Sequence, residues 1–140
     1  MRKLTILIIG SLFFSNFANA QKIFDLKTEQ AGLEIVGRTE SEKMGRALAV
    51  GDLNGDEYDD IIMGAPFDVA DSSIARVYVL FGKDDLPLKI DLTSTAPDLE
   101  IIAEQKSDGL GTAILLADVN ADGTNDLLIG ENIRSSRAGD

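Results

Sequence analysis

The sequence predicts an all-β chain built from a repeated unit, and three observations carry that prediction. Displacing the sequence by 66 residues aligns "DLKTEQAGLEIVGRTESEKMGRALAVGDLNGDEYDDIIMG" with "DLTSTAPDLEIIAEQKSDGLGTAILLADVNADGTNDLLIG" and needs no gap. Short apolar runs alternate with polar, turn-rich segments, and no run keeps a 3.6-residue period over two or three helical turns. In each copy a loop of Asp and Asn leads directly into an apolar run.

The chain starts with "MRKLTILIIGSLFFSNFANA", which has a basic beginning (Arg2, Lys3), an apolar run from Leu4 to Phe14 and a small-x-small ending at Ala18 and Ala20. That pattern predicts a secretory signal peptide over 1–20, with Gln21 as the mature N-terminus. The apolar run is about half of the roughly 20 residues that cross a bilayer, so no membrane insertion is expected after cleavage. The repeat region then covers 21–140, in units of about 25–90 and 91–140, the second truncated.

Strands are predicted at 33–36, 46–50, 61–63, 77–81, 99–102, 113–116 and 127–129. Four strands per period of 66 suit one blade of a β-propeller. Counted from residue 46, the strands give one full antiparallel blade, preceded by the last strand of another and followed by the first two of a third. A propeller closes with about four to eight blades. The expectation is therefore an incomplete propeller of fewer than two blades, whose open sheet edge at 127–129 invites self-association.

Charge and composition narrow the function. The formal net charge is −11, and loss of the leader, with two basic and no acidic residues, makes it −13. Such a surface repels nucleic acid and anionic membranes. The chain has no His and no Cys. This rules out disulfides, His-based triads, Cys nucleophiles and His-containing zinc sites within it. A carboxylate pair of the glycosidase kind is the one catalytic device that composition leaves open.

The acids cluster in two loops. Asp52, Asn54, Asp56 and Asp60 stand at positions 1, 3, 5 and 9 of "DLNGDEYDD", and Asp118, Asn120, Asp122 and Asp126 hold the same places 66 residues on. Alternate oxygen donors on a curled loop suit calcium, which takes six to eight hard oxygens at about 2.3–2.6 Å. The carbonyls of Tyr58 and Thr124, at position 7, complete the two sets. Magnesium, with a smaller octahedral shell and more retained water, suits them less well. The helix-loop-helix calcium loop is excluded because it needs an acid at position 12, where this sequence has Met63 and Ile129. The competing reading is that Asp and Asn merely cap turns between strands.

Taken together, "MGRALAVGDLNGDEYDDIIMGAP" and "ARVYVLFG" resemble the FG-GAP repeats of integrin α-chain β-propellers and of many bacterial secreted proteins, and the resemblance extends over about 25–140. It implies a blade with calcium between its first two strands, ligated by Asp52, Asn54, Asp56, the Tyr58 carbonyl and Asp60, in a bacterial-type secreted member of the family. Met44 and Leu110 replace the Phe of "FG" as apolar packing residues. Glu57 stands where Gly is usual, which predicts a strained turn in loop one; the second copy has Gly123 there but Ala121 in place of Gly55, and Gly130-Glu131-Asn132 replaces "GAP".

The function predicted is a calcium-binding, non-enzymatic module for adhesion or protein interaction, secreted to the periplasm or the cell exterior, with an extracellular protein or carbohydrate as partner. The alternative is the N-terminal or accessory part of a larger secreted enzyme such as a hydrolase or lyase. Of the aromatic residues that could form a carbohydrate platform, Tyr78 and Phe81 lie in a strand and are expected in packing, whereas Phe24 and Phe67 are left open.

Overall fold

A computed structural model describes residues 5–8, 32–39, 41–66, 74–104 and 109–131, and the described residues are all β. The strands are β1 (Thr5–Ile8), β2 (Leu33–Val36), β3 (Ala47–Gly51), β4 (Asp60–Ala65), β5 (Arg76–Leu80), β6 (Lys89–Asp91), β7 (Leu99–Ile102), β8 (Ala113–Ala117) and β9 (Asp126–Gly130). They form three sheets, ordered β1-β2-β6, β3-β4-β5-β7 and β8-β9.

The middle sheet is the four-stranded antiparallel blade expected from the repeat. Its second strand, Asp-Ile-Ile-Met-Gly-Ala, is buried at every position, as a continuous apolar run with both faces covered should be. One face, with Ile61, Met63, Tyr78 and Leu80, packs on Leu33, Ile35, Ile90 and Leu92 of the first sheet and its flanks. The other, with Ile62, Val77 and Val79, packs on Ile114, Leu116, Leu127 and Ile129 of β8 and β9. Alternation along β4 and β5 therefore divides one strand pair between two cores. Met44 is buried in the first core and Leu110 packs against the second, the roles their replacement of Phe predicts.

Two strands were not anticipated. β6 is a three-residue strand, too short to show a period, and it runs parallel to β2, held by Glu34 N–H on the Leu88 carbonyl (2.8 Å) and Leu92 N–H on that of Val36 (2.9 Å). β1 lies in the predicted leader and pairs antiparallel with β2, Thr5 opposite Val36 and Ile8 opposite Leu33. The remainder of the leader, Gln21, Phe24, Asp25, Phe67 and Asn132 lie outside the described residues.

The repeat is visible in individual hydrogen bonds. Gly45 N–H donates to the Gly64 carbonyl at 2.9 Å, and Gly111 N–H donates to that of Gly130 at 3.0 Å. Arg46 and Thr112, the next residues, donate to the carbonyls of Lys43 and Gly109, both at 3.2 Å.

Candidate site in the two acidic loops

Each loop joins the first two strands of its sheet, β3 to β4 and β8 to β9. In loop one, Asp52 Oδ1 accepts from the N–H groups of Gly55 (2.7 Å) and Asp56 (3.2 Å), and its Oδ2 accepts from Glu57 N–H (2.9 Å). Asn54 Oδ1 accepts from Asp56 N–H at 2.9 Å, and Asp56 Oδ1 from Tyr58 N–H at 2.9 Å. Asp60 closes the loop, its Oδ2 accepting from Leu53 N–H at 2.9 Å.

Loop two repeats five of these six bonds. Asp118 accepts from Asp122 (3.1 Å) and Gly123 (2.9 Å), Asn120 from Asp122 (2.8 Å), Asp122 from Thr124 (2.9 Å) and Asp126 from Val119 (3.0 Å). In both loops the side chains at positions 1, 3, 5 and 9 accept from N–H groups of their own loop, and Tyr58 and Thr124 at position 7 donate theirs to position 5.

Hydrogen bonds favour the ionised form of two of these carboxylates. Asp52 is held below the usual carboxylate range, chiefly by the N–H of Glu57, and Asp122 likewise, chiefly by the Thr124 side chain. Both loops put two residues in the left-handed region: Gly55 (φ 79°) and Glu57 (φ 71°) in the first, Ala121 (φ 59°) and Gly123 (φ 93°) in the second. Each has glycine at one of the two places and a side chain at the other; the strained turn expected at Glu57 is present, and Ala121 carries the same strain in loop two.

The loops differ at their bases. Asp60 is fully buried, and its Oδ1 accepts from Gly82 N–H at 2.8 Å, tying the loop to the far end of β5. Asp126 is partly exposed, and its Oδ1 receives the Asn120 side-chain N–H at 3.5 Å.

The donor chemistry of both loops fits a hard cation: carboxylate and amide oxygens stand at alternate places, with the carboxylate of loop one buried at its base. Among the described residues no three acidic side chains converge into a ready metal shell. Their oxygens are engaged by loop N–H groups, as the turn-capping reading predicts.

A second polar group, which sequence reading missed, joins the first sheet to the blade. Tyr78, fully buried, donates its hydroxyl to Glu42 Oε2 at 2.9 Å, and Glu42 Oε1 accepts from Arg38 N–H at 2.6 Å. Arg38 stacks over the Tyr78 ring at 5.3 Å and forms a two-pronged pair with Glu100 (2.7 and 3.1 Å), which also meets Arg76 at 2.9 Å. Burial pushes the Tyr78 hydroxyl well above its ordinary range, so it remains a donor. Tyr78 is a packing residue and Phe81 packs partly buried against the second core, so neither forms a surface platform.

Residues 44–80 match the FG-GAP repeat family. The chain is 35% identical over 92 residues to phosphatidylinositol-glycan-specific phospholipase D of Bos taurus, covering 63% of this chain and 11% of that protein. It is 30% identical over 122 residues to integrin alpha pat-2 of Caenorhabditis briggsae, covering 86% of this chain and 9% of the relative. The Dictyostelium discoideum phospholipase D of the same name is 30% identical over 110 residues, 76% of this chain and 12% of the relative. The chain therefore spans about a tenth of the length of these relatives. They are eukaryotic, and the bacterial-type membership suggested by the sequence finds no support among them.

Proposed function

We propose, taking residues 44–80 as an FG-GAP repeat, that the chain is part of an exported β-propeller module that binds calcium and serves adhesion or protein interaction without catalysis. The observation that carries this reading is the matched hydrogen-bond pattern of the two acidic loops, in which hard oxygens at the same four places accept from loop N–H groups. Asp52, Asn54, Asp56, the Tyr58 carbonyl and Asp60 would hold one ion, and Asp118, Asn120, Asp122, the Thr124 carbonyl and Asp126 a second. A bound cation offsets the clustered negative charge and ties the two strands of each hairpin together.

Sites of the extracellular-module type bind at about 10⁻⁴–10⁻³ M. Titration calorimetry should detect up to two calcium ions per chain, with a rise in melting temperature. No heat and no shift at several millimolar calcium would sink the reading.

Export rests on the 1–20 leader pattern, and N-terminal sequencing of the secreted product should begin at Gln21. Among the described residues no helix is long and apolar enough to cross a membrane. The partner is an extracellular protein or carbohydrate. β9 pairs with β8 in a two-stranded sheet, and self-association through its open edge should show in sedimentation velocity.

The likeness to two phospholipases D favours a second reading, in which the chain is a non-catalytic accessory part of a larger secreted enzyme. An immunoblot of the native protein separates the two readings. A species far above 15.0 kDa that carries hydrolase activity supports the second.

A further inference from the structure

We infer that Asn125 is a positioning residue for loop one, holding from the neighbouring sheet the peptide on which that loop closes; this rests on the reading of the loops as calcium sites. Asn125 belongs to loop two, but its side-chain N–H donates to the carbonyl of Asp52, 73 residues away, at 2.8 Å. The N–H of that same peptide, on Leu53, donates to Asp60 Oδ2 at 2.9 Å. A peptide unit is planar, so a bond at each end fixes its orientation. The unit fixed here joins position 1 of loop one to position 2, and its N–H partner is position 9.

The placement links the two loops. Asn125 immediately precedes Asp126, the closing residue of loop two, whose carboxylate accepts from Val119 N–H. Whatever orders loop two therefore orders the donor that steadies loop one. Coupling of this kind is reciprocal, so filling either loop tightens the other. Asn125 is half-buried, where a lost partner is not replaced as freely by water. Asp59, at the equivalent place in loop one, is a carboxylate and cannot supply such a donor, so the device is not a general feature of both copies.

The test uses terbium, a calcium substitute whose emission a nearby tyrosine sensitises. Tyr58 lies in loop one, whereas loop two has Thr124 there; the emission lost in an Asp52→Ala control, which removes loop one's first ligand, gives the loop-one signal. In the full chain, Asn125→Ala should weaken terbium binding at loop one by about three- to tenfold, the range of one hydrogen bond. Asp126→Ala should weaken loop one in the native background but not in the Asn125→Ala background. A metal-free arm reads the same contact: Asn125→Ala should speed amide exchange at Leu53 and leave Val119 unchanged. Loop-one affinity within twofold of native in Asn125→Ala, or equal effects of Asp126→Ala in both backgrounds, overturns the assignment alone. Absence of terbium and calcium binding by the native chain overturns both it and the reading beneath it.

Discussion

Gly64 of β4 and Gly111, which precedes β8, meet backbone to backbone: a Cβ on Gly64 would overlap the carbonyl of Gly111, and one on Gly111 would lie 3.1 Å from the Gly64 Cα. Gly64 is the glycine of "GAP" in the first copy, and Gly111 takes the place of the glycine of "FG" in the second. The blade and the β8-β9 hairpin pack as closely as they do because neither residue has a side chain.

Gly64→Ala should therefore destabilise the chain by about 1–3 kcal/mol, since the obstructing atoms are main chain and cannot rotate away. Gly111→Ala should cost more. Its φ of 80° adds about 1–2 kcal/mol for a non-glycine residue, and its Cβ would also meet Val77 Cγ2 at 2.8 Å. Gly130→Ala, which meets the Ala113 side chain at 3.1 Å, should cost least of the three. Urea unfolding of the three variants checks the ranking.

The strained turn positions allow a test in the opposite direction. Glu57 and Ala121 are exposed and left-handed, and glycine relieves about 1–2 kcal/mol there while losing about 0.5–1 kcal/mol more entropy on folding. Glu57→Gly and Ala121→Gly should each stabilise by about 0.5–1 kcal/mol. Their effects should add, because the sites lie in different loops. Melting temperatures measured in chelator exclude any contribution from calcium, and a fall in either variant would contradict the assigned turns.

The blade and both loops were legible in the sequence because the repeat kept apolar and acidic positions in one register. What lay beyond reach has a common physical cause. The Arg38–Glu100 pair spans 62 residues, the Tyr78–Glu42 bond 36 and the Asn125–Asp52 bond 73, and each exists only because sheet packing juxtaposes distant segments. Read locally, Glu42 and Arg38 are ordinary surface charges. The strand at Lys89–Asp91 was missed for another reason: a parallel strand of three residues depends on its neighbour β2 more than on its own pattern.

Acid should weaken the loops through defined groups. Asp52 and Asp122 are held below the usual carboxylate range, chiefly by the hydrogen bonds they accept from the Glu57 N–H and the Thr124 hydroxyl, respectively. A depressed carboxylate stabilises the fold fully above its unfolded pKa and loses that contribution as pH falls through the folded one. In chelator these two groups should contribute no pH dependence between pH 7 and about 5, and stability should decline below about pH 4. Asp52→Asn with Asp122→Asn should flatten that acid limb in urea unfolding at pH 3 and pH 6. An unchanged limb would show that other carboxylates govern acid unfolding.

The contrast between Asp60 and Asp126 yields the sharpest expectation for calcium. Asp60 is fully buried, receives N–H bonds from Leu53 and Gly82, and lies at the base of a four-stranded blade, whereas Asp126 is partly exposed and has no backbone donor from a third strand among the described residues. Asp60→Ala leaves two N–H groups without their acceptor, a loss of about 1–3 kcal/mol each where water cannot enter, so it should lower stability even in chelator. Asp126→Ala should cost less under the same conditions. A cation that binds only the folded form adds about 1.4 kcal/mol at ten times Kd, and it does so more effectively where the site is already held in place. Asp60→Ala should therefore abolish most of the calcium-dependent rise in melting temperature, and Asp126→Ala should leave most of it. Thermal melts of both variants, with calcium and with chelator, decide the ranking: equal losses, or a larger loss in Asp126→Ala, would mean that anchorage to the blade does not set the strength of the site.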